Sequence, residues 1–522
     1  MQELIEEALI RKARSALRRH HAGIATSRKY ASKYSKRTGQ APGAPRITDP
    51  SAWGLHPHFD PKYCIKHSRF LSRTIWRKIQ AGEYEPTPAV QYEIEKPGGG
   101  ARVIMAFSIP DAAVANVVHR AATRRNINIL SSNSFAYRPD KSVFDAIINL
   151  KRSVTGSKVY VVQYDFSKFF DTIDQDYISK IISDRRKFIL SNAERTVAKA
   201  FLRHRFARVA DYPGGTFEQR SAGVPQGSSM SLFLSNATGH ALDLSLEQMN
   251  GSFVRFADDV VAVTQTFTDA LRVAEEFRAH CAAAGLRINR EKSPGIRLLG
   301  GSSELEKRIM AIDDDDIADL KTIDHIDYLG HRICHDRIEL PDKSLRRIKK
   351  RISSIVHKHL FLYTRGPHGI MGQNRIGADF FDWDFVTCLN EIRKYIYGGL
   401  GERQIQQFLL HNQKPPGIRG LMGFMPLLTN RRQLEQLDGW LLNMLVRAQR
   451  ERARVATAHG YPLQRLTRSQ IVDGSWYTFG AIAQDSAAPS FVRAWRAARK
   501  FYLRYGLMGI EPPAYYSMID YQ

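Results

Sequence analysis

The chain has 522 residues and carries 77 Lys and Arg against 52 Asp and Glu, a net charge of +25. So basic a protein attracts polyanions, and phosphate contacts would make that attraction salt-dependent. A hydrophobic share of 43% supports sizeable cores, the length admits two to four domains, and the lack of any run of about 18 apolar residues excludes a membrane-spanning helix.

Residues 1–80 form a first part. It opens with an amphipathic helix and continues into the basic stretch Arg28, Lys29, Lys33, Lys36 and Arg37. Residues 1–50 hold 11 Lys and Arg against 4 acids, a net of +7, which suits either RNA binding or a solvated arm. The acidic start Met1-Gln2-Glu3-Leu4-Ile5-Glu6-Glu7 is no secretory or organellar signal. The four cysteines (Cys64, Cys281, Cys334, Cys388) are scattered and read as reduced thiols of a cytoplasmic protein.

Residues 81–335 are the second part. Lys96 and Arg102 flank Gly98-Gly99-Gly100, which predicts a hairpin with two cations, able to clamp a triphosphate or simply to be basic. The run from Val159 is a strand that ends at Asp165, and Asp171, Asp174 and Asp176 after it read as a solvated helix start. Gln226 lies in a Pro/Gly/Ser-rich turn that brings backbone close to a nucleotide or a template base. Between Ser252 and Val263, two apolar runs enclose Phe256-Ala257-Asp258-Asp259, which predicts strand, tight turn, strand with two carboxylates at the tip. Charges beside apolar walls are unfavourable unless a cation binds them, and magnesium prefers carboxylate oxygen. Metal-assisted nucleotidyl transfer needs carboxylates from separate strands on two ions about 4 Å apart. Asp165 and Asp258 suit the shared ligands and Asp259 a supporting one. Lys292 is either a general acid for the leaving pyrophosphate or a surface charge. His331, Cys334 and His335 read as a chance cluster.

A turn at Leu340-Pro341-Asp342 opens the third part, residues 336–430. Leu345, Ile348, Ile352 and Ile355 recur at helical spacing, and Arg346, Arg347, Lys349, Lys350 and Arg351 occupy the other faces. The fourth part, residues 431–522, starts with a helix marked by Leu434, Leu437, Leu441 and Met444, capped near Thr429-Asn430 and extended by Arg447, Arg450, Arg452 and Arg454. A further helix around Trp495, Arg496, Arg499, Lys500 and Arg504 suits either RNA contact or docking on a core.

Six motifs in order give the chain a resemblance to the reverse transcriptases. Phe135-Ala136-Tyr137-Arg138-Pro139-Asp140-Lys141-Ser142 resembles the fingers motif of bacterial and group II intron enzymes. Tyr164 to Asp171 resembles the first catalytic motif, and Gly223 to Leu232 the Pro-Gln-Gly motif. Phe256-Ala257-Asp258-Asp259 matches the Tyr-Ala-Asp-Asp box with Phe for Tyr. Gly285 to Ser293 resembles the next palm motif and Tyr328-Leu329-Gly330-His331 the primer grip. The resemblance implies an α+β right-hand polymerase, with fingers and an antiparallel-sheet palm in residues 81–335, a helical thumb in 336–430 and a helical C-terminal extension. It implies two Mg2+ ions, with Mn2+ an admissible substitute, at Asp165, Phe166, Asp258 and Asp259. It places a deoxynucleotide against Lys96, Arg102, Phe166, Phe170 and Gln226, with Phe170 as the steric gate under the sugar. Nucleic acid would meet Arg138, Tyr328, Leu329, Gly330, Arg346, Arg347, Lys349 and Lys350.

Departures narrow the subgroup. Ser231-Leu232 replaces the Ser-Pro usual in group II intron enzymes and the Ser-Gln of diversity-generating ones, and no His-Asn-His or cysteine-rich endonuclease segment follows the thumb. What remains resembles the stand-alone unknown-group and abortive-infection reverse transcriptases. That resemblance implies cDNA synthesis from deoxynucleotides on a structured non-coding RNA, in anti-phage defence, with homo-oligomers and protein priming among the arrangements known there; Tyr515, Tyr516 or Tyr521 would offer a priming hydroxyl, against the plainer reading of an ordinary aromatic C-terminus. An intron-type maturase that mainly binds RNA, and a polymerase that needs no template, are the alternatives.

Overall fold

The computed structural model describes residues 1–38, 48–95, 100–154, 158–300, 309–313, 316–362, 376, 381–476 and 486–511. The fold is α+β, and it divides into two compact units: Met1–Ile24 with Arg46–His325, and Ala25–Pro45 with Ile326–Gln522. The first helix, Gln2–Thr38, is continuous and contributes residues to both.

The first unit is built on two sheets. In the smaller, β1 (Ala89–Glu95) pairs antiparallel with β2 (Ala101–Ala106) and parallel with β4 (Arg205–Arg208), which pairs with β5 (Glu218–Gln219). The larger has five strands in the order β11-β8-β3-β7-β6. These are β3 (Val159–Asp165), β6 (Ser252–Phe256), β7 (Asp259–Thr264), β8 (Gly295–Leu299) and β11 (Lys321–Ile323). Every pairing in it is antiparallel except β11 with β8. A separate hairpin joins β9 (Ile309–Asp313) to β10 (Asp316–Asp319).

Alternation along the strands explains how the larger sheet is held. Val162 and Tyr164 of β3, with Val260 and Ala262 of β7, point into the main core. There Tyr164 meets Phe277 of the helix Phe267–Ala284, ring centroids 4.8 Å apart. The helix Met230–Glu247 is buried along most of its length (Phe233, Leu234, Ala237, Leu242, Leu246) and carries polar residues inward as well, among them Asn236 and Asp243.

In the second unit, β12 (His325–Tyr328), β13 (His331–Cys334) and β14 (Ile338–Glu339) form a small sheet. Leu329 and Gly330 join the first two, both with positive φ (46° and 78°), as a two-residue turn matching strand twist requires. Helices follow at Asp342–Leu360, Trp383–Tyr397, Glu402–His411, Arg431–Ala458 and Phe491–Tyr505. The first buries Ile348, Ile352 and Ile355, so the helical spacing seen in the sequence is the one that packs. Asn430 caps Arg431–Ala458 by accepting from the Gln433 amide. No helix among the described residues is long and apolar enough to cross a membrane.

Candidate active site

Strand register brings the acids together. β3 and β7 pair so that Asp165 stands directly opposite Asp259, on the same face of the sheet. β6 and β7 are joined by Ala257 and Asp258 alone, closed by the Phe256–Asp259 pair. Ala257 adopts φ 61°, a left-handed conformation that a residue with a side chain enters only when its surroundings fix it. The tight turn inferred from the sequence is therefore present, but it sets only Asp258 at the tip, beside the end of β3; Asp259, expected at the tip as well, is the first residue of β7 and pairs with Phe256.

Burial raises all three carboxyls, and the charge of Asp165 raises the other two further. Burial, then the charges of Asp258 and Asp165, push the Asp259 carboxyl up to about 8, against a hydrogen bond from Gln163. Asp258 is pushed up to about 6 by burial and by Asp165, and a backbone hydrogen bond, Lys292 and Arg102 pull it back. Asp165 is raised by burial and restrained by Lys292, whose Nζ lies 3.6 Å from Asp165 Oδ2 while the lysine itself stays 71% exposed. Among the described residues, no three His, Cys, Asp or Glu side chains close round one point as a protein-only metal cage would. Magnesium does not require one, since it is commonly held by one or two carboxylates together with substrate phosphates. Hard oxygen donors that repel one another fit such a cation, with Asp165 and Asp258 as its holders.

One loop borders this cluster, and a second is tied to the segment that follows β3. The segment Arg287–Ser293 is laced to the end of β3: Ser167 N donates to Arg287 O at 2.7 Å and Asn289 N to Asp165 O at 2.8 Å. Asp165 N donates to Ser293 Oγ at 2.9 Å. That lacing is what delivers Lys292. The Gly223–Gly227 loop is strapped on two sides. Val224 N donates to Phe170 O and Met105 N to Gln226 O, both at 2.7 Å. A Cβ on Gly223 would lie 2.4 Å from Phe170 O, and one on Gly227 2.3 Å from Met105 O, so both glycines serve close backbone approach.

The other expected residues divide. Phe166 is buried in the core against Phe169 and Phe277. Phe170 is part-buried and meets Phe169 edge-on at 5.5 Å. Gln226 Nε2 donates to Asp171 at 3.3 Å, and Arg220 pairs with the same carboxylate at 3.3 Å. Asp171 does stand in the first turn of a short helix, Phe169–Thr172, but it is tied to the Gly223–Gly227 loop instead of solvated, while Asp174 caps the next helix by accepting from Tyr177 N and Asp176 is exposed in that helix's first turn, as inferred. Lys96 lies outside the described residues, as do Tyr515, Tyr516 and Tyr521.

Some cations expected on nucleic acid have other work. Arg138 is buried, donating to the carbonyls of Ile127, Leu130 and Ser131 and pairing with Asp140 at 2.7 Å, so it holds a loop together. Tyr328 and Leu329 are buried side chains of the β12–β13 turn. Arg452, read as part of a basic strip, is buried between Asp382 and Asp384. Trp495 and Arg499 donate to Leu428 O, and Lys500 to the carbonyls of Phe408 and Leu409, so the last helix docks on a core. Arg346 and Lys350 remain exposed, Arg347 and Lys349 part-buried, and Lys349 Nζ lies 5.6 Å from the Trp440 ring centroid.

Three neighbours of the acids escaped sequence reasoning. Gln163 bonds Asp259 and accepts from Arg297 at 2.7 Å; its position two residues before Asp165 was the available signal, because strand alternation puts both on one face. Tyr137, at φ 61°, feels the charges of Asp258 and Arg102. Arg255 reaches under the turn.

Residues 94–333 match the family model described as reverse transcriptase (RNA-dependent DNA polymerase). The chain is 26% identical over 175 residues to Protein YkfC of Escherichia coli K12, which covers 33% of this chain and 44% of that one. It is 27% identical over 170 residues to the putative COX1/OXI3 intron 1 protein of Saccharomyces cerevisiae, covering 33% of this chain and 19% of that one. The chain thus spans less than half the length of these curated relatives. Among solved structures, telomerase from Candida albicans in complex with a fragment of telomeric RNA aligns with 11% identity and a TM-score of 0.37, over 81% of this chain and 68% of that one. Apo telomerase from Candida tropicalis aligns with 14% identity and a TM-score of 0.34, over 53% and 60%. Likeness at that level carries no argument, and the site rests on its own strands.

Proposed function

We propose that this chain is an RNA-directed DNA polymerase that makes cDNA from deoxynucleotides. The observation that carries this reading is the Asp165–Asp259 register with Asp258 in the adjoining turn, within residues that match the reverse transcriptase model. A divalent ion, when bound, would neutralise these carboxylates and supply Lewis-acid stabilisation to the transferring phosphate. Asp165 and Asp258 would hold it, with Asp259 in support. Lys292 would give a proton to the leaving pyrophosphate, a role supported by its exposure and its position beside Asp165. Arg102 meets phosphate from β2, and Phe170 closes the space under the sugar. In the right-hand description, β1–β11 and their helices are fingers and palm, and Asp342–Leu360 is the leading thumb helix, its exposed cations set for a nucleic-acid backbone.

A finer reading goes with it. The template is a structured non-coding RNA and the setting is anti-phage defence, supported by the resemblance to stand-alone bacterial enzymes and by the lack of an endonuclease motif in residues 341–522. The test is magnesium-dependent deoxynucleotide incorporation by purified protein, with co-purified RNA retained or removed by RNase, followed by product sequencing. Product that copies the RNA supports the reading. Low-complexity product that survives RNase indicates untemplated synthesis, and no product in either sample overturns the polymerase assignment in favour of an RNA-binding maturase.

A further inference from the structure

Beneath the aspartate turn lies a buried ion pair with no direct part in the chemistry just described. Arg255, three residues before Asp258, is 1% exposed, and Asp243 on the helix Met230–Glu247 is fully buried. Arg255 Nε and Nη2 donate to Asp243 Oδ1 and Oδ2, both at 2.6 Å, in a two-pronged pair. Nη2 also donates to Ser134 Oγ at 2.8 Å. Nη1 donates to Asn236 Oδ1 at 3.4 Å and to Ala257 O at 3.2 Å. Asn236 in turn donates to Ala136 O at 2.9 Å, next to Tyr137.

Stability alone does not account for this arrangement. A buried pair of charges often gains nothing over apolar residues of the same volume, because desolvation offsets the attraction. What apolar residues cannot do is grip a carbonyl. The carbonyl gripped here belongs to Ala257, the residue in the left-handed conformation that aims Asp258. The helix is also shaped for the guanidinium. Gly239 lies one turn before Asp243, and a Cβ there would stand 2.7–2.9 Å from Arg255 Cζ, Nη1 and Nε. A mid-helix glycine is unfavourable relative to alanine, and it leaves the space the guanidinium fills.

We propose that Arg255, Asp243 and Asn236 act as positioning residues that lock the Ala257–Asp258 turn to the helix Met230–Glu247, fixing the Asp258 carboxylate towards Asp165. This rests on the polymerase reading for its consequence, though not for its geometry. The helix begins at Met230, directly after the Gly223–Gly227 loop, so the same element would set the acids and the nucleotide-binding loop in one frame.

The test separates positioning from stability. Arg255→Met with Asp243→Leu removes both charges while keeping volume. The expected result is a melting temperature at or above wild type, a kcat for deoxynucleotide incorporation at least tenfold lower, a nucleotide KM within threefold, and at least tenfold faster hydrogen exchange at the 257–259 amides. Arg255→Lys keeps the charge but cannot fork, and it should lose kcat in the same direction; it serves as the readout if the double variant does not fold. Wild-type kcat and turn protection in a folded variant overturns the proposal, as does a loss of kcat that only tracks the unfolded fraction. If wild type itself incorporates nothing, the polymerase reading fails, and exchange at the turn still decides whether this network holds it.

Discussion

Each unit contains two aspartates close in sequence and crowded in space, and the two pairs are treated oppositely. In the second unit Arg452, 1% exposed, lies 3.2 Å from Asp382 and 3.4 Å from Asp384, and also donates to Leu360 O. Burial raises the Asp382 carboxyl there, but the guanidinium inside the cluster opposes it. In the first unit Asp258 and Asp259 face Asp165, and the cations around them include the exposed Lys292, Arg102 on a different sheet, and Arg255, which is itself paired with Asp243. A cluster with a buried guanidinium at its centre is part of the packing. One whose carboxyls are held above their usual range by burial and by one another, at the end of a sheet, is a place for a cation and its phosphate ligands.

The contrast can be broken from either side. Truncating Arg452 to Ala should strip two buried carboxylates of their partner and cost about 3–5 kcal/mol in denaturant unfolding. Asp165→Ala should leave that unfolding curve near wild type while removing activity; equal destabilisation by both would erase the distinction. Phe170→Ala should relax sugar choice by roughly 10–100-fold in the ratio of deoxynucleotide to ribonucleotide kcat/KM, as expected when a site loses its rejection of one hydroxyl. An unchanged ratio removes Phe170 as the gate. Replacing Arg346, Arg347, Lys349 and Lys350 with Ala should lower the slope of log affinity for RNA–DNA duplex against log salt by up to roughly four; a slope equal to wild type returns that face to plain solvation.

The smallest expected effect concerns pH in metal-free protein. Asp258 and Asp259 have carboxyls raised above their unfolded values, so the native state holds more protons than the unfolded chain between about pH 4 and about pH 8. Stability should therefore fall as pH rises through that window. Asp258→Asn removes one such group. It should raise the melting temperature by about 2–4 °C at pH 8, an allowance reduced for the partial exposure of these side chains, with the gain vanishing near pH 4. A gain that is the same at both values would show that burial and the charge of Asp165 do not raise the Asp258 carboxyl as described.

How much of this was legible in the sequence follows from what local pattern encodes. Strand alternation and a two-residue acidic turn made the β6–β7 hairpin readable, and the apolar run ending at Asp165 made its partner strand readable. Their register, which sets Asp165 against Asp259, is a long-range pairing that single-strand pattern does not carry. Arginines were the least readable residues. Arg138, Arg255 and Arg452 look like surface charges in sequence because a basic chain has many, yet all three are buried and engaged with carbonyls and aspartates. Exposed Arg346 and Lys350 carry the same kind of charge. The difference lies in partners 12 to 70 residues away for Arg255 with Asp243 and Arg452 with Asp382.

The most direct test of the central claim is deoxynucleotide incorporation on a primed RNA template with magnesium, run for wild type beside Asp258→Ala. The account predicts template-copying extension by wild type and a fall on the order of 10³-fold or more in a variant that melts as a folded protein. Extension by folded Asp258→Ala at the wild-type rate would contradict it.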